Sequence, residues 1–347
     1  MNLFFPSHDI ALGNGVKHFN PPAAALRLQE DLAWLEEIFA TTPNIPDSRP
    51  LREGWGGSPW GWSWDMREYL HKEYHISRKD LPTDEQLEAL RQLSNRRTTI
   101  EILKSLNFGG QMPEYLQNED QIDAFINKAK EDGAEYVLKT PWSSSGRGLI
   151  RSSVTPIEIL KKRALSTIQK MGGIMGERWF DKKQDFAMLF FVGHEKVHFL
   201  GYSLFDNEES GTYRQGYLLS NEEIERRLTA DGEVSIEQLH QVSNQLIDTL
   251  NSLFSPFFGL PWQVGYIGID MMTVRDHNLK ESIPHSSFLT PHSSFVIHPC
   301  VELNLRCTMG VVCRLWSDRN LKPGQQGRFV ISPMGDDGHF NAQFITD

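Results

Sequence analysis

The sequence predicts an α+β (α/β) fold, in which amphipathic helices cover sheets of long hydrophobic strands. Helical spacing is clear in residues 22–40, where apolar side chains recur every three or four positions. Strand-like runs are equally clear in residues 186–205 and 264–274, which are rich in Phe, Val, Ile and Tyr. With 39% hydrophobic and 23% charged residues, the chain has the composition of a packed globular protein rather than of a disordered one.

Composition also limits the classes of partner. The 347 residues carry a net charge of −10, which argues against a general nucleic-acid binder because such binding rests on cationic contacts to phosphates. No apolar run approaches the roughly 18 residues of a membrane span, and the N-terminus does not resemble a signal peptide. Cys300, Cys307 and Cys313 form no metal-binding or disulfide pattern and are expected to be small buried side chains. We therefore expect a cytoplasmic protein with no nucleic-acid or membrane partner, whose oligomeric state the sequence does not indicate.

The N-terminal region, residues 1–93, combines short elements with a tryptophan-rich segment. A buried strand is expected at residues 1–5, one helix at 22–40 and a charged helix at 83–95. Four of the nine tryptophans lie among glycines in residues 54–64. This segment forms either a packed irregular loop or a stacking surface for a ligand, and packing is the commoner use of aromatic side chains.

Residues 94–306 alternate between helical and strand-like segments. Asn118 is a candidate N-cap, Gly133 stops the helix that follows it, and Pro156 falls in the first turn of another helix. A hairpin is expected to turn at Gly193-His194. The helices are expected at 98–108, 118–133, 155–171 and across most of 221–254, and the strands at 134–139, 172–180, 186–205, 264–274 and 295–306.

A polar insertion separates the last two strands, at about residues 276–298. It contains His285, His292 and His298. A zinc-type site needs a complete set of ligands at suitable spacing, and no carboxylate or cysteine completes one here. Solvated histidines are therefore favoured over a metal site in this insertion.

Two of the strands are predicted to place oxygen ligands side by side. In VELNLR the side chains alternate, so Glu302, Asn304 and Arg306 share one face and apolar residues occupy the other. The same alternation in GYIGID turns Asp270 to the polar face. If these strands are neighbours, their carboxylate and amide oxygens form the kind of cluster that hard cations such as Mg²⁺ prefer. The alternative is that this face of the sheet is simply exposed to solvent. That alternative does not explain why three polar residues lie opposite a strongly apolar face.

The stretch VLKTPWSSSGRGL is the second polar feature. A strand ends in Lys139, and a Ser/Gly loop, residues 143–148, follows. The order is the reverse of the P-loop, in which the lysine comes after the glycines. A lysine ammonium and the backbone N–H groups of a glycine-containing loop can nevertheless hold phosphate groups together. A surface turn is the alternative for this segment taken alone.

The order of these motifs resembles that of the ATP-grasp superfamily of ATP-dependent carboxylate ligases. Lys139 and its loop are followed by Glu177 at a strand end before an aromatic pair, then by Asp270, and then by the Glu-x-Asn-x-Arg run that ends at Arg306. The resemblance covers roughly residues 94–315. It implies a nucleotide held between two α+β subdomains, with magnesium bridging its phosphates.

The resemblance also implies a role for each residue. Lys139 and Arg306 are the implied catalytic residues, and Arg306 faces the substrate or the transferred phosphate. Arg96 is implied as a further phosphate ligand, with Arg97 the competing choice, and Asp185 takes the place of a ribose-binding acid that is more often Glu. The implied ligands of Mg²⁺, or of Mn²⁺, are Asp270, Glu302 and Asn304. The implied nucleotide-contacting residues of the lid and hinge are Lys139, Ser143, Ser144, Ser145, Gly146, Arg147, Gly148, Glu177, Trp179 and Phe180.

A domain division and a reaction follow from the same resemblance. An N-terminal pre-ATP-grasp-like domain (1–93) precedes the ATP-grasp domain (94–347), with its lid subdomain at about 109–178 and its metal-binding subdomain at about 179–347. The implied ligase activates a small-molecule carboxylate as an acyl phosphate with ATP, and an amine or similar nucleophile then attacks it. This chemistry requires no side-chain nucleophile.

Two other functions stay open, a small-molecule kinase on the same scaffold and a non-catalytic nucleotide-binding protein. The complete set of predicted metal ligands, Asp270, Glu302 and Asn304, argues against a non-catalytic nucleotide-binding protein. Outside the main motifs, His8, Asp9 and Asn14 either touch substrate or belong to a capped turn, and the turn is slightly preferred. Arg214 faces either the acceptor site or the solvent.

Overall fold

Two antiparallel sheets and their surrounding helices form the fold. The structure is a computed structural model that describes residues 3–39, 45, 48, 58–143, 148–208, 213–275, 295–332 and 334–347. Within these ranges the strands are β1 (Glu114–Leu116), β2 (Tyr136–Lys139), β3 (Leu149–Arg151), β4 (Ile174–Arg178), β5 (Asp181–Val192), β6 (Val197–Asn207), β7 (Tyr213–Leu218), β8 (Gly265–Arg275), β9 (Phe295–Asn304), β10 (Gly327–Ser332) and β11 (Asn341–Thr346). The helices are α1 (His8–Asn14), α2 (Ala23–Asp31), α3 (Glu36–Phe39), α4 (Trp64–Glu73), α5 (Asp84–Leu93), α6 (Thr98–Ser105), α7 (Glu119–Glu131), α8 (Ile157–Met171), α9 (Asn221–Leu228), α10 (Ile236–Phe254) and α11 (Met309–Asn320).

The smaller sheet has the strand order β1-β4-β2-β3 and carries the Ser/Gly loop between β2 and β3. Helix α7 begins at the predicted cap, where the Asn118 side chain accepts a hydrogen bond from the backbone of Gln121. Its apolar stripe, Ile122, Phe125 and Ile126, packs in a hydrophobic cluster with strand residues and with α8. This cluster is separate from the main core.

The larger sheet has the order β11-β10-β7-β6-β5-β8-β9, and its hairpin β5–β6 turns at the predicted position. The long helix α10 starts with a capping box at Ser235 and Gln238 and buries one face against this sheet. Leu3, Phe39 and Trp60 of the N-terminal region belong to the same hydrophobic cluster as the sheet. The division of the chain into domains stays a prediction.

Two of the N-terminal expectations are wrong. Leu3 and Phe4 are buried, but no strand includes them: Leu3 N donates to Glu36 Oε2 at 2.9 Å, and Leu3 O accepts from Trp60 N at 3.3 Å. The helix expected at 22–40 is broken into α2, a 3₁₀ turn at Ala33–Leu35, and α3. Helix α2 buries none of its residues, whereas Leu32, Leu35 and Phe39 after it are buried, so the helix breaks where the chain enters the core.

The predicted packing of tryptophan and cysteine side chains is confirmed where it is described. Trp60, Trp62 and Trp64 are buried, and the fourth tryptophan of the segment, Trp55, lies outside the described residues. All three cysteines are buried and free of disulfides. In the part of the chain that the structure describes, no helix has the length and apolar character needed to cross a membrane.

Candidate nucleotide and metal site

The three predicted metal ligands meet on the adjacent strands β8 and β9. In the antiparallel register Asp270 faces Glu302 and Gly268 faces Asn304. The Asn304 amide donates to Asp270 Oδ2 at 3.1 Å. The backs of both strands are apolar, with Ile267, Ile269 and Leu303 buried, as the alternation predicted.

The charge balance of this face fits a divalent cation. Burial, and then the charge of Glu302, raise the pKa of Asp270 to about 7. A cation between the two carboxylates would remove this repulsion, and two carboxylates with one amide oxygen form the oxygen set that Mg²⁺ accepts. Across the described residues there is no group of three or more His, Cys, Asp or Glu side chains arranged to hold a metal. Protein-bound Mg²⁺ usually keeps several water ligands and binds substrate phosphates beside one or two carboxylates.

Two buried basic side chains, Arg96 just before α6 and Lys139 at the end of β2, pair with acidic residues of the predicted site. Arg96, which is 7% exposed, pairs with Glu302 at 2.8 Å between Nη2 and Oε1, and the same nitrogen donates to Ser143 Oγ at 3.0 Å. Arg97 is exposed and donates to Gln92 Oε1. The buried Lys139 pairs with Glu177 at 2.5 Å between Nζ and Oε2. Arg96 rather than Arg97 therefore lies beside the carboxylates.

The Ser/Gly loop is described only at its two ends. Ser143 is fixed by Arg96, while Ser144, Ser145, Gly146 and Arg147 lie outside the described residues. Gly148 has φ +81°, and a Cβ there would come within 2.3 Å of the Thr140 hydroxyl. Glycine is therefore required where the loop returns to β3.

The predicted hinge follows β4 at the junction of the two sheets. The Arg151 guanidinium lies over the Trp179 ring at 3.9 Å, and Trp179 N donates to Glu135 O at 2.8 Å. Asp185, the predicted ribose ligand, pairs with Lys182 at 2.5 Å. Near this junction Phe180, Met272, Val274 and Val296 form a small apolar cluster apart from both larger cores.

Arg306 lies beyond the end of β9 and contacts the N-terminal region. Its Nε donates to Asp9 Oδ2 at 2.7 Å, and its Nη2 lies 3.5 Å from Asn304 Oδ1. His8 contacts Asp9 Oδ1 through Nδ1 at 3.2 Å and the carbonyl of Trp62 through Nε2 at 3.0 Å. Burial alone would raise the pKa of Asp9, but the Arg306 guanidinium and His8 outweigh it and hold that pKa at about 2.

Two residues near the site were misjudged or undervalued from the sequence. A capped turn was slightly preferred over substrate contact for Asp9, and the residue lies in the first turn of α1, where it lines a small cavity with Ser143, Glu302 and Asn304. His298 was expected to be solvated, but it is buried in β9, packed between Phe108 and Phe180. The alternation of side chains from Val296 to Asn304 was the available signal, because it places His298 on the face of the metal ligands.

Arg214 does not contact the cluster in the described residues. Arg214 is well exposed in β7 and pairs with Glu208 at 3.8 Å between Nε and Oε1. His285 and His292 lie outside the described residues.

Comparison with known proteins gives likenesses in structure alone. No family model and no curated protein matches the chain. A similar solved structure is N5-carboxyaminoimidazole synthetase from Staphylococcus aureus complexed with ADP, with TM-score 0.43, 11% identity, and coverage of 72% of this chain and 59% of that one. Another is the biotin carboxylase domain of 2-oxoglutarate carboxylase from Hydrogenobacter thermophilus in complex with MgADP, ADP and bicarbonate, with TM-score 0.47, 10% identity, and coverage of 78% and 56%.

A third is a putative ATP-grasp superfamily protein from Archaeoglobus fulgidus, with TM-score 0.38, 14% identity, and coverage of 75% and 66%. The chain thus spans about three fifths of the length of these structures. The helices and the two antiparallel sheets of the described residues confirm the predicted α+β fold class.

Proposed function

We propose that this protein is an ATP- and Mg²⁺-dependent ligase that activates a small-molecule carboxylate. A carboxylate oxygen attacks the γ-phosphorus, the bond from that phosphorus to the β,γ-bridging oxygen breaks, and ADP leaves. An amine or similar nucleophile then attacks the acyl carbon, loses a proton and expels inorganic phosphate. Binding, orientation and charge neutralisation suffice for the first step.

One observation carries the proposal: polar side chains from separate regions of the chain form a series in which each contacts the next, except that Asp270 and Glu302 face each other in the strand register. It runs from Asp9 to Arg306 (2.7 Å), to Asn304 (3.5 Å) and to Asp270 (3.1 Å). Asp270 faces Glu302, which pairs with Arg96 (2.8 Å), and Arg96 reaches Ser143 at the base of the Ser/Gly loop (3.0 Å). Acidic and basic groups therefore converge on one place from three separate regions of the chain.

The chain's own residues divide the work of the first step. Asp270, Glu302 and Asn304 would hold Mg²⁺, which when bound supplies positive charge to the phosphate oxygens. Lys139 and Arg96 lie on the side of the Ser/Gly loop, where they can neutralise charge on the phosphates. Arg306 lies beside Asn304 and Asp9, where its planar guanidinium can orient a carboxylate or the developing acyl phosphate.

The function is tested by ADP release and by product identity. Purified protein with MgATP is screened against paired amino acids, dipeptides and small acids, and the products are identified by mass spectrometry. A new amide, thioester or related bond supports a ligase, whereas a stable phosphate ester identifies a small-molecule kinase. A folded protein that neither binds MgATP nor releases ADP with any pair would contradict the proposal.

Glu302→Gln provides the matched variant for this assay. The side chain is on the polar face of β9 and only a quarter exposed, so the change removes a charge with little change of volume. Because Mg²⁺ depends on charged oxygen ligands, we expect ADP formation to fall by at least about 100-fold while the circular dichroism spectrum is retained. A folded variant with near wild-type turnover would remove Glu302 from the metal site.

A further inference from the structure

The Ser/Gly loop starts from a stem, residues 140–143, that is bound by Arg96 just before α6. Arg96 N donates to Pro141 O at 3.0 Å, and Arg96 Nε donates to Thr140 O at 3.0 Å. Nη2 of the same side chain donates to Ser143 Oγ at 3.0 Å. Arg96 therefore binds three of the four residues of the stem.

The fourth stem residue, Trp142, is buried against α5. It is 8% exposed, and its Nε1 donates to Arg91 O at 3.2 Å and to Ser94 Oγ at 3.1 Å. The Arg91 guanidinium carbon lies 4.3 Å from the centroid of the Trp142 ring, which is a cation–π distance. A buried indole ring whose N–H group is paired and whose face is covered has one defined orientation.

The same tryptophan lies directly against α1. Arg91, which covers its ring, donates to Gly13 O from Nε at 3.2 Å and from Nη2 at 3.0 Å. A Cβ atom on Gly13 would lie 2.5 Å from Cβ and 2.7 Å from Cγ of Trp142. These two atoms are the base of the side chain, so they cannot move away unless the stem backbone moves too. Helix α1 can approach the stem this closely only because residue 13 is glycine.

Helix α1 thus contacts the proposed site through both of its ends. In its first turn Asp9 binds Arg306 at 2.7 Å, and in its last turn Gly13 packs on Trp142. The helix has seven residues, so these ends are separated by only about 10 Å. Residues of the helix and of the stem line one small cavity together with two predicted metal ligands: Asp9, Trp142, Ser143, Glu302 and Asn304.

We propose that Trp142 is a positioning residue, which docks on Gly13 and Arg91 and thereby holds Ser143 and Arg96 in place for the nucleotide phosphates. The inference rests on the proposed function, because it requires the phosphates to lie between the stem and the metal ligands. It makes nucleotide affinity depend on α1, a helix with no predicted nucleotide contact. A displaced stem weakens phosphate binding, since small misplacements of positioning groups are costly.

The test is isothermal titration with the magnesium complex of AMP-PNP, a non-hydrolysable ATP analogue, at pH 7.5. Gly13→Ala pushes on Trp142 from α1, whereas Trp142→Ala removes the ring. Trp142→Phe keeps a ring beside Arg91 but has no N–H group for Arg91 O. We expect Gly13→Ala and Trp142→Ala each to weaken binding about tenfold, and Trp142→Phe about threefold. The double variant Gly13→Ala/Trp142→Ala should bind about as weakly as Trp142→Ala alone, because the stem is already released.

Gly216→Ala is the matched control for a crowded glycine. A Cβ atom there would lie 2.5 Å from the Tyr213 hydroxyl and 2.6 Å from Cys313 Sγ, in a strand three places from β8 in the sheet. We expect this control to lose stability but to bind the nucleotide within about twofold of wild type. Circular dichroism and melting temperature establish that each variant is folded. If Trp142→Ala does not fold, Gly13→Ala and Trp142→Phe decide the question.

The results separate positioning from a purely structural role. Lower melting temperatures with unchanged nucleotide affinity in the Gly13 and Trp142 variants would overturn the role of Trp142 and leave the proposed function intact. Equal weakening in Gly216→Ala, or additive losses in the double variant, would overturn it as well. A folded wild-type protein that does not bind the magnesium nucleotide overturns the proposed function and this inference with it.

Discussion

The orientation of Arg306 depends on partners outside its own strand. Nε donates to Asp9, Nη1 donates to the carbonyl of Cys307 at 3.2 Å, and Nη2 points toward Asn304. These contacts use different edges of the guanidinium, so the plane of the group is fixed before any substrate binds. Preorganised charge of this kind lowers the cost of stabilising a transition state.

Arg306→Lys tests whether the fixed guanidinium is needed. Lysine keeps the positive charge but has no planar fork for two parallel hydrogen bonds. We expect MgADP affinity to stay within about twofold of wild type and ligase turnover to fall by roughly 10- to 100-fold. The loss belongs in kcat if the contact forms in the transition state, and in KM if it anchors the acid. Steady-state kinetics with the acid and MgATP varied separately provide the measurement, and normal constants for both substrates would place Arg306 outside the reaction.

Asp9→Asn tests the residue that holds Arg306. Asn keeps the size of the side chain but removes the charge that pairs with the guanidinium, and such charge-assisted bonds are worth about 1.5–3 kcal/mol. We expect kcat/KM for the acid to fall about tenfold or more, with KM for MgATP nearly unchanged. A double-mutant cycle with Arg306→Lys should be strongly non-additive, because both changes disturb one contact. Additive losses would mean that Asp9 acts independently of Arg306.

At the scale of elements, the segment from Trp60 to Trp62 forms a rigid support behind Arg306. Trp60 O accepts from Cys307 N at 2.6 Å, and Trp62 O contacts His8 at 3.0 Å. Between them Gly61 has no room for a side chain: a Cβ there would lie 2.6 Å from His8 Nε2 and 2.9 Å from Arg306 Cβ. The close approach of backbone to site requires glycine at this position.

Gly61→Ala should therefore act on the site through packing alone. The added methyl group has to displace the side chain of His8 or of Arg306, which costs about 1–3 kcal/mol in a packed region. We expect a lower melting temperature together with a loss of kcat/KM for the acid of roughly 10- to 100-fold, since small misplacements of positioning groups are costly. MgADP binding, measured by titration, should change little. A variant destabilised but fully active would show that the segment supports the fold and not the site.

The elements and the metal face were predictable from the sequence because their signals are local. Alternation in β8 and β9 placed Asp270, Glu302 and Asn304 on one face, and the register puts them together. The Asp9–Arg306 contact joins residues 297 positions apart in the sequence, and a local sequence pattern cannot indicate a contact between such distant residues. His298 was misassigned because it follows a polar insertion, although it already belongs to β9. The bend in residues 22–40 was missed because periodicity describes a helical face but not the direction of the chain.

At the scale of the whole molecule, two buried groups beside the site change stability with pH in opposite directions. His298 keeps a pKa of about 4 against its ordinary 6.5, so the unfolded chain binds more protons between these values and the contribution of His298 rises with pH. Asp270 has a pKa of about 7 against its ordinary 3.8, so the folded chain binds more protons and its contribution falls as pH rises. A pH profile of the wild type alone therefore mixes the two, and a variant is needed to separate them.

Asp270→Asn isolates the carboxylate contribution. Above about pH 7 the wild type carries two facing carboxylates, and Asn removes one charge while its amide oxygen can still accept from Asn304. We expect the variant to be more stable than wild type by about 1–2 kcal/mol at pH 8, less than the full pKa shift implies because the side chain keeps some contact with solvent. The difference should shrink as pH falls and nearly vanish below about pH 3, where Asp270 is protonated in the folded and mostly in the unfolded chain. Urea unfolding at several pH values measures this difference in stability, with Asp181→Asn, an exposed aspartate of β5, as the matched control.

Asp270→Asn should also lose ADP formation. The carboxylate that destabilises the cation-free protein is then the one that the cation requires. A variant no more stable than wild type at pH 8 would show that Asp270 and Glu302 do not repel each other, and the argument for a cation between them would fail.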